Sequence, residues 1–285
     1  MHQINDGNTL WVFACCSQEP RHLYDIVFAV DVLRQRGVLD EHILCFVDHR
    51  RQAVHLQPYG IDNVYHVSQL VDVMSHVKPH SYVVVTVTGH GQVMGLGGEA
   101  WPLVRPAELV AAIRSVPGIT LGVVMLTQCF GGIFHLLDAA SIPPLVLLGA
   151  TNLNPSLSIS IQLRQPLLQT NGAGGLSGWA ANVFMADFFE WLRSPMDIDG
   201  DGNATLLDAY RAAGVRSNER LRKIKAGYFM QARTLASALE QASRESKPEI
   251  VRQAIEKQLQ DTLEILHTHQ EPWILHANLA RQLQF

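Results

Sequence analysis

Two side chains in this sequence have the chemistry for covalent attack on a carbonyl carbon, and each stands where an apolar run meets glycine. His90 follows the run Tyr82–Thr88 and Gly89, and precedes Gly91. Cys129 follows the run Leu121–Thr127 and Gln128, and precedes Phe130-Gly131-Gly132. A thiol supplies the nucleophile and an imidazole moves the protons. Both runs are short and rich in valine, as buried parallel strands are. In open α/β sheets, ligands bind at the carboxyl ends of such strands, so His90 and Cys129 can meet although far apart in the chain. Gly91 can offer a backbone N–H to an oxyanion with no side chain in the way, and Cys129 a second. A helix starting just beyond Gly132 would set its positive end near the thiolate.

A second constellation is local. Asp197, Asp199, Asp201, Asn203 and Asp208 stand at positions one, three, five, seven and twelve of a loop with Gly202 at position six. That is the spacing of a calcium-binding loop, with hard oxygen donors and a glycine for the sharp turn. Aspartate replaces the usual glutamate at position twelve. The expected cofactor is Ca2+, in a structural role that staples the C-terminal helices to the rest, with no cofactor for catalysis.

The elements that must position these residues alternate. Thr9–Cys16, 42–48, 63–66, the His90 and Cys129 runs and Leu145–Gly149 read as strands. Helices are expected over 23–36, 68–76 and 107–116, with a glycine-rich loop over 91–98. This alternation predicts an α/β fold: a mostly parallel sheet with helices on both faces. From 152 to 178 turn residues dominate and no regular element is expected. A helix is expected over 179–193, and the remainder from Leu206 reads as a helical hairpin interrupted near 243–248. Residues 1–212 are taken as the main domain, including the acidic loop, and 213–285 as a helical extension packed on it.

The ordered set of motifs resembles the caspase–legumain–gingipain clan of cysteine peptidases. The parts are a strand ending in His-Gly, a strand ending in Gln128-Cys129-Phe130-Gly131, and Arg21-His22-Leu23-Tyr24-Asp25 after the first strand. Leu148-Gly149-Ala150-Thr151-Asn152-Leu153-Asn154-Pro155 is similar to the legumain segment after the catalytic cysteine. Thr127 stands where caspases carry glutamine and legumains glutamate. The resemblance covers about 9–210 and implies a caspase-like α/β/α sandwich that hydrolyses protein or peptide substrates. Cys129 would be the nucleophile and His90 the general acid and base, with the Gly91 N–H at the oxyanion. Arg21, with Gln128 and Thr127 beside the cysteine, would bind the residue before the cut. A guanidinium favours Asp or Asn there.

Composition sets outer limits. The chain has 285 residues, 47% apolar and 17% charged, which suits a globular protein with a sizeable core. A net charge of −4 gives no footprint for nucleic acid. There is no polybasic patch and no apolar run of membrane-spanning length. Four cysteines without metal-ligand spacing point to a reducing compartment, so a cytoplasmic protein is expected. The C-terminal helices offer a surface for a protein partner. Two rivals to endopeptidase activity stay open: a catalytically silent scaffold of the same fold, and a legumain-like transamidase passing the acyl group to an amine.

Overall fold

The computed structural model describes residues 2–4, 7–97, 104–136, 139–268 and 270–285. A seven-stranded sheet forms its centre, in the order Trp273–Leu275, Leu145–Gly149, Leu121–Leu126, Tyr82–Gly89, Thr9–Cys16, Ile43–Val47, Val64–His66. All neighbours are parallel except the first pair, which is antiparallel. Along the Thr9–Cys16 strand, Trp11, Phe13 and Cys15 enter one core, and Leu10, Val12, Ala14 and Cys16 enter the other. That two-residue period is what a strand covered on both faces requires. Helices Pro20–Gln35 and Val183–Arg193 and the first turns of Leu206–Arg244 close the first core. Helices Leu70–Ser75 and Pro106–Arg114 close the second. The α/β reading therefore holds, with C-terminal helices as expected.

Helix Pro20–Gln35 shows how local sequence sets an element. Proline stands in its first turn, where its missing N–H removes no helical bond. Leu23, Ile26, Val27, Val30 and Leu33 recur at helical spacing and are buried. Gly37 ends it at φ 84°, and the N–H groups of Gly37 and Val38 reach back to the carbonyls of Arg34 and Leu33.

Four expectations need correction. Residues 152–178 are not irregular throughout: Ser158–Leu168 and Gly175–Asn182 pair as an antiparallel hairpin, closed by a turn with Gly172 at φ 69°. Ser158-Ile159-Ser160-Ile161-Gln162-Leu163 carries the alternation of a half-exposed strand, which the surrounding turn residues obscured. The helix expected from Trp179 begins only at Val183, because Trp179–Asn182 completes the hairpin and Asn182 then caps the helix, accepting from the Met185 N–H at 3.2 Å. The helix expected just beyond Gly132 is, among the described residues, a 3-10 turn over Gly131–Leu136. The strand Trp273–Leu275 also lay hidden within a stretch read as helical, since three residues are too few for a periodic signal.

Helices Leu206–Arg244 and Glu249–His267 pack together as the expected hairpin. The first runs unbroken through 212–213, the boundary read from the sequence. Its first turns bury Leu206, Leu207, Ala209, Ala212 and Ala213, whereas later positions are largely exposed. Among the described residues no helix is long and apolar enough to cross a membrane.

Strand order decides where a site can form. From Thr9–Cys16 the chain moves outward through Ile43–Val47 to Val64–His66, then returns to the other side of Thr9–Cys16 as Tyr82–Gly89. The direction of winding reverses between those two central strands, and the loops leaving their carboxyl ends splay apart into a crevice. Glu19 follows one of these strands and His90 the other. Cys129 lies beyond the next strand along.

Candidate active site

The His90 turn and the Cys129 turn touch. A β-carbon on Gly91 would lie 2.0 Å from the Cys129 carbonyl oxygen and 2.6 Å from Gln128 Cγ, so only glycine allows this approach. Gly89, at φ 103°, turns the chain out of its strand while the His90 N–H stays bonded to the Cys16 carbonyl at 2.9 Å. Beyond the cysteine, Phe130 adopts φ 57°, a left-handed conformation that non-glycine residues avoid. Bonds from the N–H groups of Phe130 and Gly132 to the carbonyls of Asn154 and Asn152 hold it, at 3.0 and 2.9 Å. A strained turn of this kind lifts Cys129 away from the core. Of the four cysteines it alone is not buried. Burial pushes the Cys16 and Cys45 thiols up to about 12 and Cys15 well above its ordinary value, so those three stay protonated and inert.

His90 is oriented by a residue the sequence reading missed. Its Nε2 lies 2.8 Å from Glu19 Oε1, and Glu19 Oε2 accepts from Arg21 Nε at 2.5 Å. The bond from Arg21 is the main cause, and that from His90 a lesser one, holding the Glu19 carboxyl down at about 2. An ionised carboxylate can only accept, so the His90 Nε2 donates the hydrogen in this bond. His90 is bonded to Glu19 and not to Cys129; the cysteine Sγ instead accepts from the Ser156 N–H at 3.2 Å.

Behind this pair lies a buried polar network. His22 packs edge-on to His90 with ring centroids 5.5 Å apart. Its Nδ1 faces Thr88 Oγ1 at 3.4 Å and Asp25 Oδ2 at 3.6 Å, whereas its Nε2 has no hydrogen-bond partner. Asp25, 2% exposed, also accepts from Trp179 Nε1 at 2.8 Å, the Asn182 N–H and Thr88 Oγ1. One carboxylate thus ties the first helix, the His90 strand and the hairpin together, which removes the cost of burying its charge alone.

The expected substrate residues divide. Arg21 is partly exposed and its Nη1 donates to Ser158 Oγ at 2.5 Å, so it lies between Glu19 and the start of the hairpin, beside His90. Thr127 is fully buried, its hydroxyl donating to the Val87 carbonyl at 2.6 Å, which directs it into the sheet. Gln128 is buried with both amide atoms unpartnered. A signal for Glu19 was present in the sequence: it follows the first strand two residues before Arg21. Its partner, however, depends on strand order.

The acidic loop is held by its own backbone. Asp197 accepts from the N–H groups of Gly200 and Gly202, which lower its carboxyl, the Gly202 bond most. Asp208 is buried at the start of helix Leu206–Arg244, accepting from the Thr205 N–H and hydroxyl and from the Ile198 N–H. Asp197, Asp199 and Asp208 bring carboxylate oxygens within 4.8 Å of one another. Asp201 accepts from the Asn203 N–H, and the Asn203 side-chain Oδ1 accepts from Gln284. Arg211 Nη1 already sits 2.6 Å from Asp199. The donors are all oxygen, as calcium prefers, and three of the four aspartates converge.

No family model matches the chain, and no curated protein matches its sequence.

Proposed function

We propose that the chain is a cysteine endopeptidase with a caspase-like fold, cutting after Asp or Asn through Cys129 and His90. The observation that supports this reading is the close approach of Gly91 to the Cys129 carbonyl, which brings together the turn carrying a half-buried thiol and the turn carrying an imidazole bonded to Glu19. In the reaction His90 Nδ1 takes the Cys129 proton and the thiolate attacks the substrate carbonyl carbon. The N–H groups of Gly91 and Cys129 stabilise the oxyanion. As the carbon–nitrogen bond breaks, His90 returns the proton to the leaving amine. Water, deprotonated by His90, then hydrolyses the thioester and restores the thiol. Glu19 keeps Nε2 protonated throughout, so Nδ1 remains the working nitrogen.

Arg21 supports the preference before the cut. A forked, permanent cation binds a carboxylate or an amide oxygen. The caspase–legumain–gingipain resemblance of the Arg21–Asp25 segment points the same way. A positional-scanning peptide library, read with wild type and Cys129→Ala in parallel, tests the reading. Turnover of Asp or Asn substrates by wild type alone is expected. A preference for Lys or Arg would overturn the specificity, and a folded but silent wild type would favour the scaffold reading.

For the Asp197–Asp208 loop the reading is a structural calcium site. Asp197, Asp199 and Asp208 would ligate first, and Asp201 and the Asn203 backbone carbonyl would complete the shell. Bound calcium would tie the start of helix Leu206–Arg244 to the chain end at Gln284, through Asn203.

A further inference from the structure

Glu19, His22 and His90 each present a ligand atom within 4.8 Å of the others. The set is two imidazoles and one carboxylate, the composition of many zinc sites with three protein ligands. His22 is built as such a ligand. It is 3% exposed, its Nδ1 faces the Asp25 carboxylate and the Thr88 hydroxyl, and its Nε2 lacks any partner. A metal-binding histidine characteristically directs its other nitrogen at a carboxylate, which fixes the tautomer with a lone pair outward. A buried imidazole nitrogen without a hydrogen bond calls for an explanation, and a bound ion supplies one. Glu19 Oε1 and His90 Nε2 are 2.8 Å apart, and two ligands at about 2.0–2.1 Å from a tetrahedral zinc sit only slightly farther from each other.

We propose that Glu19, His22 and His90 form a site for a divalent transition metal, with zinc the fitting ion and a fourth position open to water. Binding replaces the proton shared by Glu19 and His90. That proton moves to His90 Nδ1, so the imidazole stays neutral but loses the lone pair it needs as a base. The metal site stands on its own geometry. Its consequence, reversible silencing of the peptidase, rests on the proposed function. Arg21 competes for Glu19 and repels a dication, so its removal should tighten the site.

The test is calorimetric titration of the whole Cys129→Ala chain with zinc chloride, with calcium at saturating concentration to occupy the acidic loop. One zinc per chain is expected, weakened at least tenfold by His22→Gln and by Glu19→Gln, and tightened by Arg21→Met. Cobalt(II) in place of zinc should give a tetrahedral spectrum without a thiolate charge-transfer band. No binding at micromolar zinc, or binding unmoved by both ligand substitutions, would overturn the proposal. If His22→Gln fails to fold by circular dichroism, the surface substitution Glu19→Gln decides. Because heat is read in protein without the thiol, a lack of peptidase activity leaves the metal result standing. A lack of zinc binding likewise leaves the peptidase reading standing.

Discussion

At the carboxyl edge of the sheet, Glu19 and His22 meet His90, and the Gly91 turn meets the Cys129 backbone, because three strands lie side by side. In the Asp197–Asp208 loop, consecutive residues fold back on their own backbone, and Asp197 caps the N–H groups of Gly200 and Gly202. The first region is assembled by topology and the second by local hydrogen bonding. A local motif shows which donors are at hand, yet only the folded loop shows that Asp197, Asp199 and Asp208 converge. A topological site has the opposite character. Spacing shows nothing of the Glu19–His90 pair, but once the strands are in register the pair is held from several sides. Damage should therefore spread widely from the sheet edge and stay confined in the loop.

The largest effects are expected where the two turns touch. Cys129→Ala should lower turnover by about 10⁶-fold, the scale at which loss of a nucleophile leaves only binding and oxyanion stabilisation. Gly91→Ala should cost roughly 10²-fold or more while Cys129 survives, because its β-carbon cannot fit against the Cys129 carbonyl and displacements of about 1 Å have that consequence. Initial rates on an Asp or Asn peptide measure both. Equal activity of the Gly91→Ala protein would separate the two turns functionally.

Arg21→Ala removes a cation that bonds both Glu19 and Ser158. A loss of about 2–5 kcal/mol in transition-state binding is expected for substrates with Asp or Asn before the cut, the range for a truncated charge pair. Neutral apolar substrates should lose far less. Glu19→Gln should lower kcat by roughly 10–100-fold, short of the 10⁴ of a buried triad carboxylate because Glu19 is half exposed. Since its carboxyl lies at about 2, Glu19 stays ionised down to that pH and adds no limb to the rate profile above it. The sign for folding follows from the depressed value. Whatever stability Glu19 contributes is present above the ordinary glutamate range and lost as pH falls through about 2. A new acid limb near neutral pH in wild type, absent from Glu19→Gln, would contradict this assignment.

How far the sequence carried can be read from particular residues. The strands ending at His90 and Cys129 were legible because each is a single apolar run closed by glycine. The hairpin of Ser158–Leu168 and Gly175–Asn182 was not, since its faces are largely exposed and its turn residues dominate the composition. Thr127 resembled a pocket residue by position, but its hydroxyl is bonded across to Val87 and lies within the sheet. Glu19 was missed: its place two residues before Arg21 was visible, but its pairing with His90 depends on strand order. His22 and Asp25 were noticed as a pattern, but their burial and mutual contact required the fold.

The smallest effects belong to the periphery. Asp187 is buried and paired with Arg220 at 2.9 Å, joining helix Val183–Arg193 to helix Leu206–Arg244. Burial raises its carboxyl despite the guanidinium. Arg220→Met should cost about 1–3 kcal/mol of stability at neutral pH, less than a fully buried pair because Arg220 is 45% exposed. The deficit should shrink as pH falls and Asp187 becomes protonated, which urea denaturation at two pH values would show. Asp208→Ala should abolish the calcium-dependent rise in melting temperature and leave peptidase rates largely unchanged. A large loss of activity in that variant would mean the loop and the sheet edge are coupled.

The central claim is that Cys129 is a nucleophile activated by His90 at the edge of the sheet. Its most direct test is to treat the protein with a peptidyl acyloxymethyl ketone bearing Asp or Asn at the carbonyl position, then map the adduct by mass spectrometry. The expected result is a single adduct on Cys129 Sγ, formed much more slowly in His90→Ala and absent when the peptide ends in Lys. No adduct on Cys129, or one that forms equally well without His90, would contradict the claim.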